Sequence, residues 1–475
     1  MDCGKRTKIV ATIGPASGNA AILEKLVLAG VNVFRLNFSH GDHNSHALHL
    51  KNIKKIRKDL GLPVSILQDL SGPKIRVGKI SPEPLELKVN DHIIFDSDLK
   101  GQNDDNIISI NYRFFAKDVF PGARLLLSDG EMEVIVDEIK GNRVVCKVIN
   151  GGLLTSSKGI NFPSGSFNLP SITDKDCLDL KFGLQNGIDL VALSFVRSSS
   201  DIKHVQELME EEGRVVPIIA KIEKHEAINN IEEILETADG IMIARGDLGV
   251  EVDMELIPII QKQILLMANQ KGKPVITATQ MLRSMVSSPR PTRAEVTDVA
   301  NAIIDGTDAI MLSEETAIGK FPVATVQIMS KIAVRAEEYY LNKKFPLRRG
   351  DLAGNNLTTS IAHSAVILSN EINARIIFAI TRTGYTAKAI ARYRPSSTIL
   401  ALTPSINTYY QLNMVWGVIP ELSKLTKNSQ ELFNKAFELA KKRNFLQKND
   451  SYVIVSGFPL GEPGTINQIK AGQFV

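Results

Sequence analysis

The chain has 475 residues, 44% hydrophobic and 23% charged, a globular composition that excludes collagen-like and disordered classes and, at about 150 residues per domain, suggests roughly three domains. Lysine and arginine total 56 against 52 acidic residues, and a formal net charge of +4 is too small for this length to make nucleic acid the main partner. Three cysteines, Cys3, Cys146 and Cys177, are odd in number and lack metal-ligand spacing, which argues against a disulfide framework or a zinc site and for a reducing compartment.

Apolar, β-rich runs recur at Lys8–Ile13, Val31–Phe38, Val64–Leu67, Leu190–Val196, Val216–Ile222, Gly240–Ala244, Pro274–Ala278 and Ala309–Leu312. Most are apolar on both faces, as parallel strands covered by helices are, and helical periodicity lies between them. Val296, Val299, Ala300, Ile303 and Ile304 share one helical face, and Ile228, Ile231, Ile234 and Leu235 share another. Eight β/α alternations favour an α/β fold of the (β/α)8 TIM-barrel type over an open sheet, which uses about five or six strands.

The gap between the third and fourth runs is far longer than a βα connection. From Pro73 to Pro170 the period changes to two, as in Leu85, Leu87, Val89 and Met132, Val134, Val136, with turn signals at Asp129-Gly130, Gly141-Asn142 and Asn150-Gly151-Gly152. The reading is a β-rich, β-barrel-like domain inserted after a strand's C-terminal end, the face where such barrels do their chemistry, and so placed as a lid. After a helix through Tyr340, the polar stretch Asn342–Asn356 reads as a linker. Beyond it, strands Arg375–Ile380, Thr398–Leu402 and Tyr452–Ser456 alternate with helices near Thr359–Asn370, Thr386–Tyr393 and Gln430–Lys442, a small α/β sheet. The predicted division is a discontinuous barrel at 1–72 and 171–345, the lid at 73–170, and the C-terminal domain at 346–475. The start MDCGKRTKIV has no apolar export segment, and no run approaches the ~18 apolar residues of a membrane span, so a cytoplasmic chain with no membrane partner is expected.

In a barrel the strand C-termini converge on one pocket, and here they are unusually polar: Arg35, Asn37, Ser39 and His40, then Asp69, then Lys221 and Glu223, then Arg245, Gly246 and Asp247, then Thr277 to Gln280. Glu223 and Asp247, from neighbouring strands, can grip one hard divalent ion, magnesium or manganese. Lys221 precedes Glu223 by two residues, so period-two geometry sends both toward the barrel mouth. Arg35, Arg76 and Lys158 add positive charge, and cations beside a metal suit phosphoryl transfer, where charge spreads over equatorial oxygens. Taken singly, Glu223 could merely pair with an arginine and Lys221 could be a solvated strand end; five polar strand ends together favour a site. His43 and His46 flank a helix start and read as surface groups.

RLNFSHG (Arg35–Gly41), AKIEKHEA (Ala220–Ala227), ARGDLGVE (Ala244–Glu251), TATQMLRSM (Thr277–Met285) and PTRAEVTDVANAIIDG (Pro291–Gly306) resemble the pyruvate kinase family, and the likeness extends over essentially the whole chain. The resemblance implies the last step of glycolysis, transfer of the phosphoryl group of phosphoenolpyruvate to ADP to give pyruvate and ATP, in a homotetramer. It assigns Lys221 to the transferring phosphoryl group, Glu223 and Asp247 to magnesium, and the Gly246 backbone with Thr279 to the enolpyruvate carboxylate. Arg35 and Arg76 would face phosphate, and Asn37 and His40 the nucleotide; Thr279 or a water chain near it is the candidate to protonate the enolate. Pro15 in TIGPAS would contact adenine, Lys158 in SKGINFP the nucleotide phosphates, and Asp129 in SDG would close over the site.

Potassium-requiring members hold that ion with residues matching Asn37, Ser39, Asp69 and the carbonyl after it, here Leu70, and carry glutamate where this chain has Lys74. A fixed ammonium can supply the ion's single charge, so with Leu70 and Val77 the chain resembles the potassium-independent subgroup. Glu314 stands where the family has glycine, with local tolerance expected. Thr381-Arg382-Thr383-Gly384-Tyr385-Thr386 joins a strand to a helix N-terminus, a turn that can offer N–H groups and hydroxyls to phosphate. The family puts a sugar-phosphate effector there, facing Ser456–Gly461; a capped turn without ligand is the alternative. Two rivals remain: a metal-dependent aldolase barrel, which has no use for a nucleotide lid, and a non-catalytic phosphometabolite sensor, which would be expected to lose Lys221 or the carboxylate pair.

Overall fold

A computed structural model describes residues 4–99, 106–163, 165–342, 356–424, 429–457 and 466–474. Eight parallel strands, Lys8–Thr12, Val33–Asn37, Ser65–Asp69, Leu190–Leu193, Ile218–Ile222, Gly240–Ala244, Val275–Ala278 and Ala309–Leu312, close into a barrel in chain order. Their side chains alternate between two environments, as the pleat requires. Val10, Val33, Leu67, Ala192, Ile219 and Met242 fill the interior, while Ile9, Ile66, Val191, Ile218, Ile241 and Ile310 pack against the surrounding helices. Burial on both sides is why these runs lack a polar face.

The helices begin where the chain supplies caps: Asp42 with Ser45, Thr173 with Asp176 and Thr292 with Glu295 each form a reciprocal capping box. The face carrying Ile228, Ile231, Ile234 and Leu235 belongs to two helices, His225–Asn229 and Ile231–Thr237. Asn230, with φ −102° and ψ 17°, leaves helical geometry between them.

The insertion leaves the third strand at its C-terminal end. Its ladders form a six-stranded sheet, in the order Ile160–Asn161, Arg124–Leu127, Met132–Lys140, Arg143–Asn150, His92–Asp96 and Ile107–Ser109, with a separate pair, Leu85–Leu87 and Gly152–Leu154. Leu87 is buried but Val89 is 59% exposed, because the strand ends at Leu87 and Val89 lies in the turn that follows, where Asn90 has φ 73°.

The C-terminal sheet has five strands, in the order Val418–Leu422, Thr398–Thr403, Ile376–Ile380, Ser451–Ser456 and Gln468–Gln473. The three expected strands are the inner ones. The two missed are edges: one contains Pro420, tolerated only where a ladder donor is dispensable, and the other, polar and largely exposed, carries no apolar signal. This domain covers the opposite end of the barrel from the insertion: Lys8 donates to the Val418 carbonyl at 2.7 Å, Asn413 to that of Asn32 at 2.9 Å, and Ser65 to that of Tyr410 at 2.5 Å. Residues 343–355 of the predicted linker and 458–461 of the loop expected to face the effector lie outside the described residues. Among the described residues no helix is long and apolar enough to cross a membrane.

Candidate active site

Strand parity sorts the site. Val33, Leu67, Ala192, Ile219 and Met242 point inward, so Arg35, Asp69, Ser194, Lys221 and Ala244, two residues further along each strand, also face the barrel axis where the interior opens. At that level apolar packing gives way to charge. Arg35 donates through Nε to Asp69 at 2.5 Å and through Nη1 to the Thr12 hydroxyl at 3.0 Å. Lys221 Nζ lies 3.2 Å from Asp69, 2.9 Å from Glu223 and 2.7 Å from the Ser194 hydroxyl. The backbone N–H of Phe195 donates to the other Glu223 oxygen at 2.8 Å.

Burial alone would strip the Lys221 ammonium of its proton, but Asp69 and Glu223 outweigh it and hold the pKa above the ordinary lysine range. Burial likewise favours the neutral form of Asp69, yet Arg35 and Lys221 together keep it below the usual carboxylate range. Glu223 moves the other way: burial raises it, Lys221 opposes, and Asp247 raises it further. A fixed cation thus sits beside a buried carboxylate, with a second carboxylate, Asp247, close enough to raise its pKa. Glu223 and Asp247 present hard oxygens from the ends of adjacent strands, so the donor set fits magnesium or manganese.

Beside this pair, next to the sixth strand, the seventh strand ends in a strained turn. Thr279 has φ 65° and Gln280 φ 58°, left-handed values that are costly for a β-branched threonine. The conformation is held by Arg245, which donates to the Thr279 carbonyl at 2.9 Å while pairing with Asp298 at 2.8 Å. It brings the Thr279 hydroxyl within 2.9 Å of the Gly246 N–H, so the two groups expected to hold a carboxylate are neighbours.

The insertion hangs over this mouth. Lys74 Nζ bridges Asp129 of the insertion at 3.0 Å and Asp247 of the barrel at 3.3 Å, and these carboxylates overcome burial to raise its pKa. Gly159 makes the path possible: a Cβ there would lie 2.5 Å from Lys74 Cε. The sequence reading set this ammonium in the monovalent-cation position. In the structure it makes no hydrogen bond or ion pair with Asn37, Ser39, Asp69 or Leu70 among the described residues; its partners are Asp129 and Asp247. Asn37 instead accepts from the Ser39 N–H at 3.2 Å, and the Leu70 carbonyl from Ser194 at 2.6 Å. Arg76 and Lys158 are exposed and adjacent in the insertion, joined by a bridge between Arg76 and Gly159 and by an Arg76 bond to the Ser157 carbonyl at 2.9 Å.

Pro15, Ser39 and His40 are exposed on the loops after the first and second strands. His43 is exposed, as expected, whereas His46 is not a surface group. His46 is buried and stacks on Phe38 with centroids 4.0 Å apart, and His43 stacks on Phe182 at 4.3 Å and pairs with Asp179 at 2.7 Å. Their helix turns His46 inward onto Phe38, a tertiary fact its cap does not disclose. Glu314 opens a short helix, is exposed, and lies 3.6 Å from Arg283. In the C-terminal domain the Thr381–Thr386 turn joins strand Ile376–Ile380 to helix Tyr385–Ala391. Arg382, Thr383 and Tyr385 are exposed, whereas Thr381 and Thr386 are buried, and the Gly384 N–H is already taken by the Thr381 hydroxyl at 2.9 Å.

Sequence reasoning missed Ser194. It touches Lys221, the Leu70 carbonyl and, at 3.4 Å, Asp69. The signal was available: it is the polar residue ending the fourth barrel strand, found by the same test that found Lys221. Thr12, ending the first strand and bonded to Arg35, was missed likewise.

A closed barrel whose C-terminal mouth holds a lysine between buried carboxylates, beneath an insertion that brings Lys74 to Asp247, defines a barrel enzyme that handles a phosphorylated anion. A family model for the pyruvate kinase barrel domain matches residues 4–326, and one for the pyruvate kinase alpha/beta domain matches 359–471. Pyruvate kinase 2 of Synechocystis is 47% identical over 98% of this chain and 79% of its own length, and a pyruvate kinase of Staphylococcus saprophyticus is 44% identical over 98% and 80%. The crystal structure of a pyruvate kinase from Cryptosporidium parvum superposes with a TM-score of 0.93 at 37% identity, covering 99% of this chain and 96% of that one. The chain belongs to the pyruvate kinase family and is a phosphotransferase acting between phosphoenolpyruvate and ADP.

Proposed function

We propose the following division of labour for the transfer of the phosphoryl group of phosphoenolpyruvate to ADP. Lys221 meets the negative charge on the phosphoryl group as the bond between phosphorus and the enol oxygen breaks and a terminal oxygen of ADP takes the phosphorus. Arg35 holds the same group from the second strand. The Gly246 N–H and the Thr279 hydroxyl receive the carboxylate, and Thr279, or water ordered by it, delivers the proton to the enolate carbon. Arg76 and Lys158 neutralise the nucleotide phosphates, with Pro15, Asn37 and His40 on the nucleotide side and Asp129 closing the lid. Glu223 and Asp247 would hold magnesium or manganese, which when bound neutralises charge on the phosphoryl and carboxylate oxygens.

The observation that carries this reading is the Lys221 ammonium, buried and held 2.9 Å from Glu223 and 3.2 Å from Asp69 at the barrel mouth. Such a preorganised cation is worth most where water is excluded. A coupled assay of ATP formation from phosphoenolpyruvate and ADP tests it, with Lys221→Met as the comparison; equal rates for the two would refute the assignment.

The remaining features rest on family likeness and residue chemistry. They are a catalytic barrel at 1–72 and 171–345, a lid at 73–170 and a regulatory domain at 346–475; a homotetramer in the cytoplasm; a phosphorylated activator at Thr381–Thr386; and activity without potassium, the charge of Lys74 standing in for the ion.

A further inference from the structure

The insertion touches the barrel at a second polar junction, next to the Lys221 site in sequence. His225 Nδ1 lies 3.3 Å from Glu226 Oε2 and 3.4 Å from Glu251 Oε2, and the three donor atoms lie within 4.8 Å of one another. The two carboxylates are oriented from behind. Glu251 Oε1 accepts from Lys224 Nζ at 2.7 Å and from Asn161 Nδ2 at 2.8 Å. Glu226 Oε1 accepts from the Ser166 hydroxyl. The second oxygen of each therefore faces His225 with no other donor, and Glu226 Oε2 is a buried acceptor without a hydrogen bond. Asn161, only 4% exposed, leaves its Oδ1 unpartnered as well, and with Glu226, Lys224, Lys74 and Arg197 it borders a cavity of about 30 Å³, room for about one water, whose lining does not include His225 or Glu251.

We infer that His225, Glu226 and Glu251 form a divalent metal site of the zinc class that latches the insertion to the barrel. One imidazole and two carboxylates suit zinc rather than magnesium or calcium, whose ligands are oxygens. Tetrahedral zinc with bonds of about 2.0–2.1 Å sets its donors roughly 3.3 Å apart, close to the two spacings from His225. Three protein ligands leave a fourth position for water or for the free Asn161 oxygen. The outer bonds from Asn161 and Ser166 fix the ligating carboxylates, and both come from the insertion, so metal at this point ties the two bodies together. His225 and Glu226 are each partly exposed, which supplies a way in.

The test measures binding of zinc chloride to the full-length protein by calorimetry in millimolar magnesium, with Glu223→Gln as the control that identifies any zinc taken up by the Glu223–Asp247 pair. One zinc ion per chain is expected, with affinity reduced at least tenfold in His225→Gln and in Glu226→Gln, and about tenfold in Ser166→Ala, a partner of a ligand rather than a ligand. Zinc should also slow amide exchange in residues 160–162 of the wild type but not of His225→Gln. Ser166→Ala removes a single hydroxyl at the rim and keeps the test alive if a ligand variant does not fold. Equal zinc affinity in the wild type and all folded variants would overturn the inference, as would no binding to the wild type under these conditions.

Discussion

Removing the Lys221 ammonium while keeping its bulk, as in Lys221→Met, probes the centre of the site. In the structure this group is a fixed donor 2.7 Å from Ser194, 3.2 Å from Asp69 and 2.9 Å from Glu223, so its orientation is settled before substrate arrives. Loss of one such preorganised electrostatic group costs about 3–4 kcal/mol of transition-state stabilisation, roughly a hundred- to thousand-fold in kcat. KM for phosphoenolpyruvate should change far less, because the interaction strengthens only as charge moves onto the phosphoryl oxygens. The electrostatics make a second demand. Asp69 keeps Arg35 at 2.5 Å, so the variant should fold, but Glu223 loses its only cation and keeps just the Phe195 N–H. The carboxylate pair becomes more electronegative, and the magnesium concentration for half-maximal rate should fall. Steady-state kinetics against phosphoenolpyruvate and magnesium, with a melting curve to establish folding, measure all three. A kcat within a factor of about three of wild type, under 1 kcal/mol, would refute the reasoning, and a large loss confined to KM would move Lys221 to ground-state binding.

Glu223→Gln and Asp247→Asn should each raise the magnesium requirement at least tenfold, about 1.4 kcal/mol of ion affinity, read from the rate against magnesium concentration; an unchanged requirement would exclude the pair as ligands. In sodium- and potassium-free buffer the enzyme should be active, and a strong rise on adding potassium would show that Lys74 does not replace the ion. A thermal-shift screen of sugar phosphates and AMP should show stabilisation by at least one that Thr383→Ala weakens, and no shift with any compound would count against the Thr381–Thr386 site. Arg394→Ala should destabilise the fold by about 3–5 kcal/mol, because it leaves Asp308 buried and unpaired; in the intact protein the two lie 2.9 Å apart with side chains 2% and 7% exposed. Arg394 also covers Trp416 at 4.9 Å, so the fluorescence of this only tryptophan should follow the loss in a urea titration.

Local periodicity carried most of the architecture. Runs apolar on both faces can be satisfied only by strands covered from both sides, and eight of them between helical patterns admit few alternatives to a barrel. Parity then sent Arg35, Asp69, Lys221 and Glu223 to one face, because side chains two apart on a strand must share a side. The change from that pattern to period two marked the insertion. Where burial was partial the signal failed: the exposed edge strand Gln468–Gln473 and the proline-containing edge Val418–Leu422 look like loops, since an edge need not be apolar.

Contact between residues distant in sequence was decided by the tertiary structure. Which carboxylates an ammonium joins depends on distances of a few tenths of an ångström between separate strands, so Lys74 reached Asp129 and Asp247 rather than the neighbours its position in the chain suggested. Packing onto Phe38 buried His46, although its helix start reads as surface. Ser194 became a partner of Lys221 only when the fourth and fifth strands lay side by side, and the cluster of His225, Glu226 and Glu251 took form only when the insertion folded back to supply Asn161 and Ser166. A linear pattern states which face a side chain points to; the packed barrel determines what it meets there.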